Sequence, residues 1–81
     1  MTIGKISIRP TLHFTEHHVN VDWEFVVATI LSPTSTHPNA RLGKDRFTYI
    51  KKYKKFSVEI HTKNDYEQET IWVINAFKNE R

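Results

Sequence analysis

Between residues 46 and 63 the chain reads Arg-Phe-Thr-Tyr-Ile-Lys-Lys-Tyr-Lys-Lys-Phe-Ser-Val-Glu-Ile-His-Thr-Lys. Phe47 and Tyr49 alternate with polar residues on one side of a basic centre, and Phe56, Val58 and Ile60 do so on the other. Alternation with period two, interrupted by charge, is the pattern of a β-hairpin whose tip faces water. It also limits the pairing, because a one-residue slip would send one strand's apolar set to the opposite face. A two-residue connection (Tyr53-Lys54) or a four-residue one (Lys52 to Lys55) gives the same pairing, with Lys51 opposite Phe56. The tip has none of the Gly or Asn that tight hairpins favour, so the longer loop is expected, between strands at about 46–52 and 56–63.

This pairing predicts that Arg46 lies opposite His61 and Thr48 opposite Glu59, all on the face that the apolar residues leave free. A carboxylate, an imidazole and a guanidinium grouped in this way can carry out acid–base chemistry on a phosphodiester. RNA cleavage through the 2′-hydroxyl needs a base, an acid and positive charge on the phosphate, and it needs no metal. The candidate catalytic set is Glu59 as base, His61 or His17 as acid, and Arg46 as phosphate clamp. The same residues also fit a solvated sheet surface with a diagonal Arg46–Glu59 salt bridge, worth under ~1 kcal/mol.

Charge is unevenly placed. From Arg41 to Lys63 there are eight Lys or Arg and two acids, whereas the rest of the chain holds four and seven. A cluster of this kind attracts polyanions. Lys51, Lys52, Lys54, Lys55, Lys63 and Arg41 are candidates to hold a nucleic-acid backbone, with Tyr53 as a stacking ring. Lys51 falls on the core side of the hairpin and would have to reach outward past the rim. A charged tip that deters edge-to-edge association would use the same lysines.

The remaining segments complete a small α+β domain covering 1–81. Residues 3–9 read as a first strand stopped by Pro10. Thr15 can cap a single helical turn. Asp22 is a candidate N-cap for a helix over 22–32, where Trp23, Val26, Val27, Ile30 and Leu31 form one apolar stripe that Ser32-Pro33 ends. Residues 33–45 read as a mobile polar loop, with a short edge strand around 39–42. Asn64-Asp65 opens a turn. The last strand spans 69–78, with Ile71, Val73 and Phe77 on one face and Trp72, Ile74 and Ala76 on the other. The expected architecture is an antiparallel sheet of about four strands with one main helix and a short helical turn on one face.

Several functions are disfavoured. The chain has no cysteine, so it has no disulfide, thiolate metal site or thiol nucleophile. His13 and His17 have a helical i, i+4 spacing, but Pro10 and Thr15 interrupt any continuous helix, so neither a metal nor another cofactor is expected. No apolar run approaches the ~20 residues that span a bilayer. No membrane association and a cytoplasmic location are the expectations.

Four short motifs occur in a recognisable order: Thr15-Glu16-His17, Asp22-Trp23-Glu24-Phe25-Val26-Val27, Gly43-Lys44-Asp45-Arg46-Phe47 and Val73-Ile74-Asn75-Ala76-Phe77. Together they resemble a group of small RelE-like domains, across about residues 12–78. The chain departs from that group in having no arginine between Arg9 and Arg41, and in having Asn75 where the group has threonine. The resemblance implies a RelE-like fold whose open sheet face handles RNA in some members, as a toxin-type endoribonuclease. In others it is inactive or makes protein contacts. RNA and an antitoxin or other protein are the partners implied. The competing reading is a non-catalytic interaction module that uses the sheet face or the basic hairpin.

Overall fold

The computed structural model describes residues 2–3, 5–16 and 21–80. The elements run β1 (Thr2–Ile3), β2 (Ile6–Pro10), α1 (Leu12–Glu16), α2 (Trp23–Leu31), β3 (Ser35–Pro38), β4 (Arg46–Lys52), β5 (Phe56–Asp65) and β6 (Thr70–Glu80). The strands form one sheet in the order β1-β2-β6-β5-β4-β3, and β1 contributes only two residues. The expected four-stranded antiparallel sheet with one main helix is therefore corrected. The sheet is mixed, because β2 pairs parallel to β6 while the other pairings are antiparallel. Parallel neighbours need a long crossover, here supplied by both helices and three strands.

One face of the sheet carries the core. Val58, Ile60, Val73, Ile8 and Ala76 pack against Val26, Val27 and Ile30 of α2, and Phe14 of α1 and Trp23 pack at the margin. The α2 stripe is as expected, except that Leu31 remains about half exposed (49%). Asp22 occupies the N-cap position in extended conformation, and its carbonyl, not its side chain, accepts the first helical bonds from Phe25 and Val26. Thr11 caps α1, its hydroxyl accepting from the Phe14 amide, so the cap of the short helix lies four residues before Thr15. Among the described residues no helix is long and apolar enough to cross a membrane.

Three local expectations change. The edge strand lies at Ser35–Pro38 rather than 39–42. The segment after it makes turns in which Asn39 donates to the Arg46 carbonyl and Leu42 to that of Asn39. Strand β5 continues through Asn64 and Asp65, where a turn was expected. Asn64 stays in the ladder because it is buried in a chain of hydrogen bonds: Thr62 Oγ1 donates to Asn64 Oδ1 (2.9 Å), and Asn64 Nδ2 donates to the Tyr49 hydroxyl (3.1 Å). Finally, β6 has a bulge. His61 pairs with Asn75 and Thr62 with Val73, which leaves Ile74 as an inserted residue. The insertion breaks alternation, so Val73 and Ala76 both face the core and Phe77 moves to the opposite face.

Candidate functional site on the uncovered sheet face

The hairpin forms as its alternation requires, but its pairing lies two residues from the expected one. Arg46 is opposite Lys63, Thr48 opposite His61 and Ile50 opposite Glu59. The Tyr53 amide donates to the Phe56 carbonyl (2.8 Å), which leaves Lys54 and Lys55 at the tip. An even shift preserves every face, so Glu59, His61 and Arg46 still share the side away from the helices. It does change who meets whom. Arg46 and Glu59 are separated by four residues along the strands, ~13 Å, which removes the expected diagonal salt bridge.

Glu59 pairs instead along its own strand. Residues i and i+2 point to the same side, and Glu59 Oε2 lies 2.7 Å from His61 Nε2. Both side chains are partly exposed, at 31% and 24%. Phe77 meets the imidazole in a T-shaped contact (5.3 Å between centroids, 68° between planes) and braces the ring from the β6 side. The expectation gave Glu59 and His61 separate duties; the geometry joins them into a dyad in which the carboxylate orients the imidazole through Nε2, leaving Nδ1 for other partners. Arg46 is the diagonal neighbour of His61, two residues along the ladder. His17 lies outside the described residues.

Rungs of the ladder can be followed across the uncovered face. One rung joins Arg9, Trp72, Lys63 and Arg46 through the pairings of β2 with β6, β6 with β5, and β5 with β4. It places three cations and an indole in a line, with Arg9 and Lys63 exposed and Arg46 and Trp72 half-buried. The next rung holds Asn75, His61, Thr48 and His37. Thr48 is buried there beneath Asn39, whose Nδ2 donates to its hydroxyl. The third holds Phe77, Glu59, Ile50 and Ser35, and the fourth Asn79, Ser57 and Lys52. A concavity of about 530 Å³ between Lys44, Lys63 and Tyr66 borders the cationic rung.

The other candidate cations do not form one patch. Lys51 lies on the helix side, with its Nζ 5.8 Å from the Tyr53 ring centroid. Tyr53 stacks on Phe56 (4.7 Å, 19°) and takes the edge of Phe25 (5.7 Å), so it packs the rim of the core. Lys52 shares the uncovered face, Lys54 and Lys55 are exposed at the tip, and Arg41 is exposed in the turns before β4. Sequence reasoning missed Arg9. Its alternation with Ile8 marks it as outward-facing, but only the parallel pairing of β2 with β6 brings it beside Trp72. Phe77 is expected on the face of Ile71 and Val73 and lies on the other, because an inserted residue leaves no mark on an alternating pattern.

Among the described residues no cluster of three or more His, Asp or Glu could hold a metal ion. No protein-family model, no curated protein and no solved structure matches the chain.

Proposed function

We propose that this chain is a small RNA-directed protein that holds a phosphodiester backbone on the uncovered face of its sheet. The observation that carries the reading is the cationic rung of Arg9, Lys63 and Arg46 with Trp72 among them. Four cations on this face (with Lys52) outnumber the carboxylates of Glu59 and Asp65. Both carboxylates are engaged, Glu59 by His61 and Asp65 by the Gln68 amide. Guanidinium and ammonium groups spaced along one line suit successive phosphates, and an indole among them suits a base. The RelE-like kinship drawn from the motif order belongs to this proposal, as does an antitoxin-like protein partner.

The Glu59–His61 contact favours a second reading in which the bound strand is also cut. His61, oriented by Glu59, takes the 2′-hydroxyl proton. The 2′ oxygen bonds to phosphorus, the bond from phosphorus to the 5′ oxygen breaks, and that oxygen leaves with a proton from solvent. Arg46 neutralises charge on the phosphate.

The test is labelled single-stranded RNA at 50 and 200 mM salt. Three neutralised phosphates give a slope of about −2 in log K against log salt, hence a ~20-fold loss of affinity over that interval. Charge reversal at Lys63 and Arg46 abolishes binding if the reading is right. Salt-independent binding, or binding unaffected by those reversals, refutes it. Cleavage that disappears in His61→Ala while binding persists establishes the second reading; an uncut strand limits the protein to binding.

A further inference from the structure

Resting on that binding site, we propose that its occupant is single-stranded and splayed, with non-adjacent bases stacked on Trp72 and Phe77 and an intervening base against Asn75. The bulge at Ile74 creates this arrangement. Uninterrupted alternation from Val73 would send Phe77 to the helices, whereas the inserted residue puts Trp72, Asn75 and Phe77 all on the uncovered face. Phe77 is left 44% exposed there.

The spacing selects the ligand. Trp72 pairs with Lys63 and Phe77 with Glu59, four residues apart on β5, which is ~13 Å. Bases in a duplex stack advance ~3.4 Å per step, so the two rings cannot hold neighbours in a continuous stack. They suit bases separated along an opened strand, whose faces are free. A duplex hides those faces.

Charge sets the path of the strand. Arg9, Lys63 and Arg46 collect phosphates at the Trp72 rung, whereas the Phe77 rung carries Glu59 and no cation, so a base rather than a phosphate belongs there. The His61 ring braces Phe77 from the β5 side in a T-shaped contact. Between the two platforms, the Asn75 amide has no hydrogen bond among the described residues. It offers a donor and an acceptor to a base edge.

The experiment compares three probes on the unaltered protein: a hexauridylate RNA, the same strand with every base removed, and a duplex of equal length. Base removal and duplex formation are each expected to weaken binding by about 10-fold or more, since each aromatic–base stack contributes at least that order. Phe77→Ala, at an exposed position, is expected to lower hexauridylate affinity by a similar factor with the circular dichroism spectrum unchanged. In Trp23→Phe, where Trp72 is the sole indole, hexauridylate is expected to quench the fluorescence. Equal affinity for the intact and base-free strands, or for the duplex, overturns the stacking platforms while leaving the phosphate grip intact. Failure of every probe to bind overturns the grip itself.

Discussion

Thr62→Val tests how the sheet closes its end beyond the helices. Thr62 is fully buried, and its hydroxyl donates to Asn64 Oδ1 at 2.9 Å; Asn64 in turn donates to the Tyr49 hydroxyl. Valine has nearly the same shape, so the substitution leaves packing in place and withdraws one donor. The stranded Asn64 carbonyl then costs ~1–3 kcal/mol. For 81 residues the unfolding entropy near the midpoint is ~170 cal/mol/K, so 1 kcal/mol corresponds to ~6 °C in Tm. Thermal unfolding followed by circular dichroism should show a fall of ~6–18 °C. Pairing Thr62→Val with Asn64→Leu removes both ends of the bond. The double variant should lose at least ~1 kcal/mol less than the sum of the single losses. A Thr62→Val protein as stable as the parent, or strict additivity in the cycle, would show that the buried chain contributes nothing and that the register rests on apolar packing alone.

Other substitutions probe separate parts of the fold. Ile60→Ala, at a fully buried site facing α2, should cost ~2–5 kcal/mol in urea unfolding. Gly43 has φ of 133°, so Gly43→Ala should destabilise by ~1 kcal/mol or more through the backbone alone, because a Cβ there has ordinary room beside Arg46. Glu69 sits at φ of 51° in the β5–β6 turn, and Glu69→Gly should raise the urea midpoint by up to ~1 kcal/mol of stability. Lys63→Ala should reduce the salt slope of RNA binding by ~0.7, the share of one phosphate contact. Lys54→Ala, at the tip, should leave that slope unchanged.

The legible parts of this molecule are those that hydrophobic period dictates. The stripe from Trp23 to Leu31 and the alternation flanking Lys52 place one helix and two strands to within a residue or two at most ends. Period two also separates the faces of the hairpin, which is why Glu59, His61 and Arg46 share a side. It does not set the rung. A slip of two residues keeps every apolar side chain inward, so only the turn decides, and a tip of two lysines carries little turn chemistry. Neither tip residue is at positive φ, so the close connection forms without the glycine or asparagine that would have announced it. The pairing of Ser7 with Thr70 through Pro10 with Val73 spans most of the chain, and no local pattern in Ile6–Pro10 encodes a parallel partner. For that reason the first strand could be read while Arg9 could not be assigned to a site.

That parallel pairing has a temporal consequence. During synthesis the hairpin and α2 can organise early, since their contacts are short in sequence. The Arg9 rung, in contrast, waits until Trp72 has emerged and must then close a loop of some sixty residues, a slow step for any chain. A nascent chain therefore carries its hairpin cations before the cationic rung is complete, and under the proposed function its affinity for polyanions should mature only as the last strand docks.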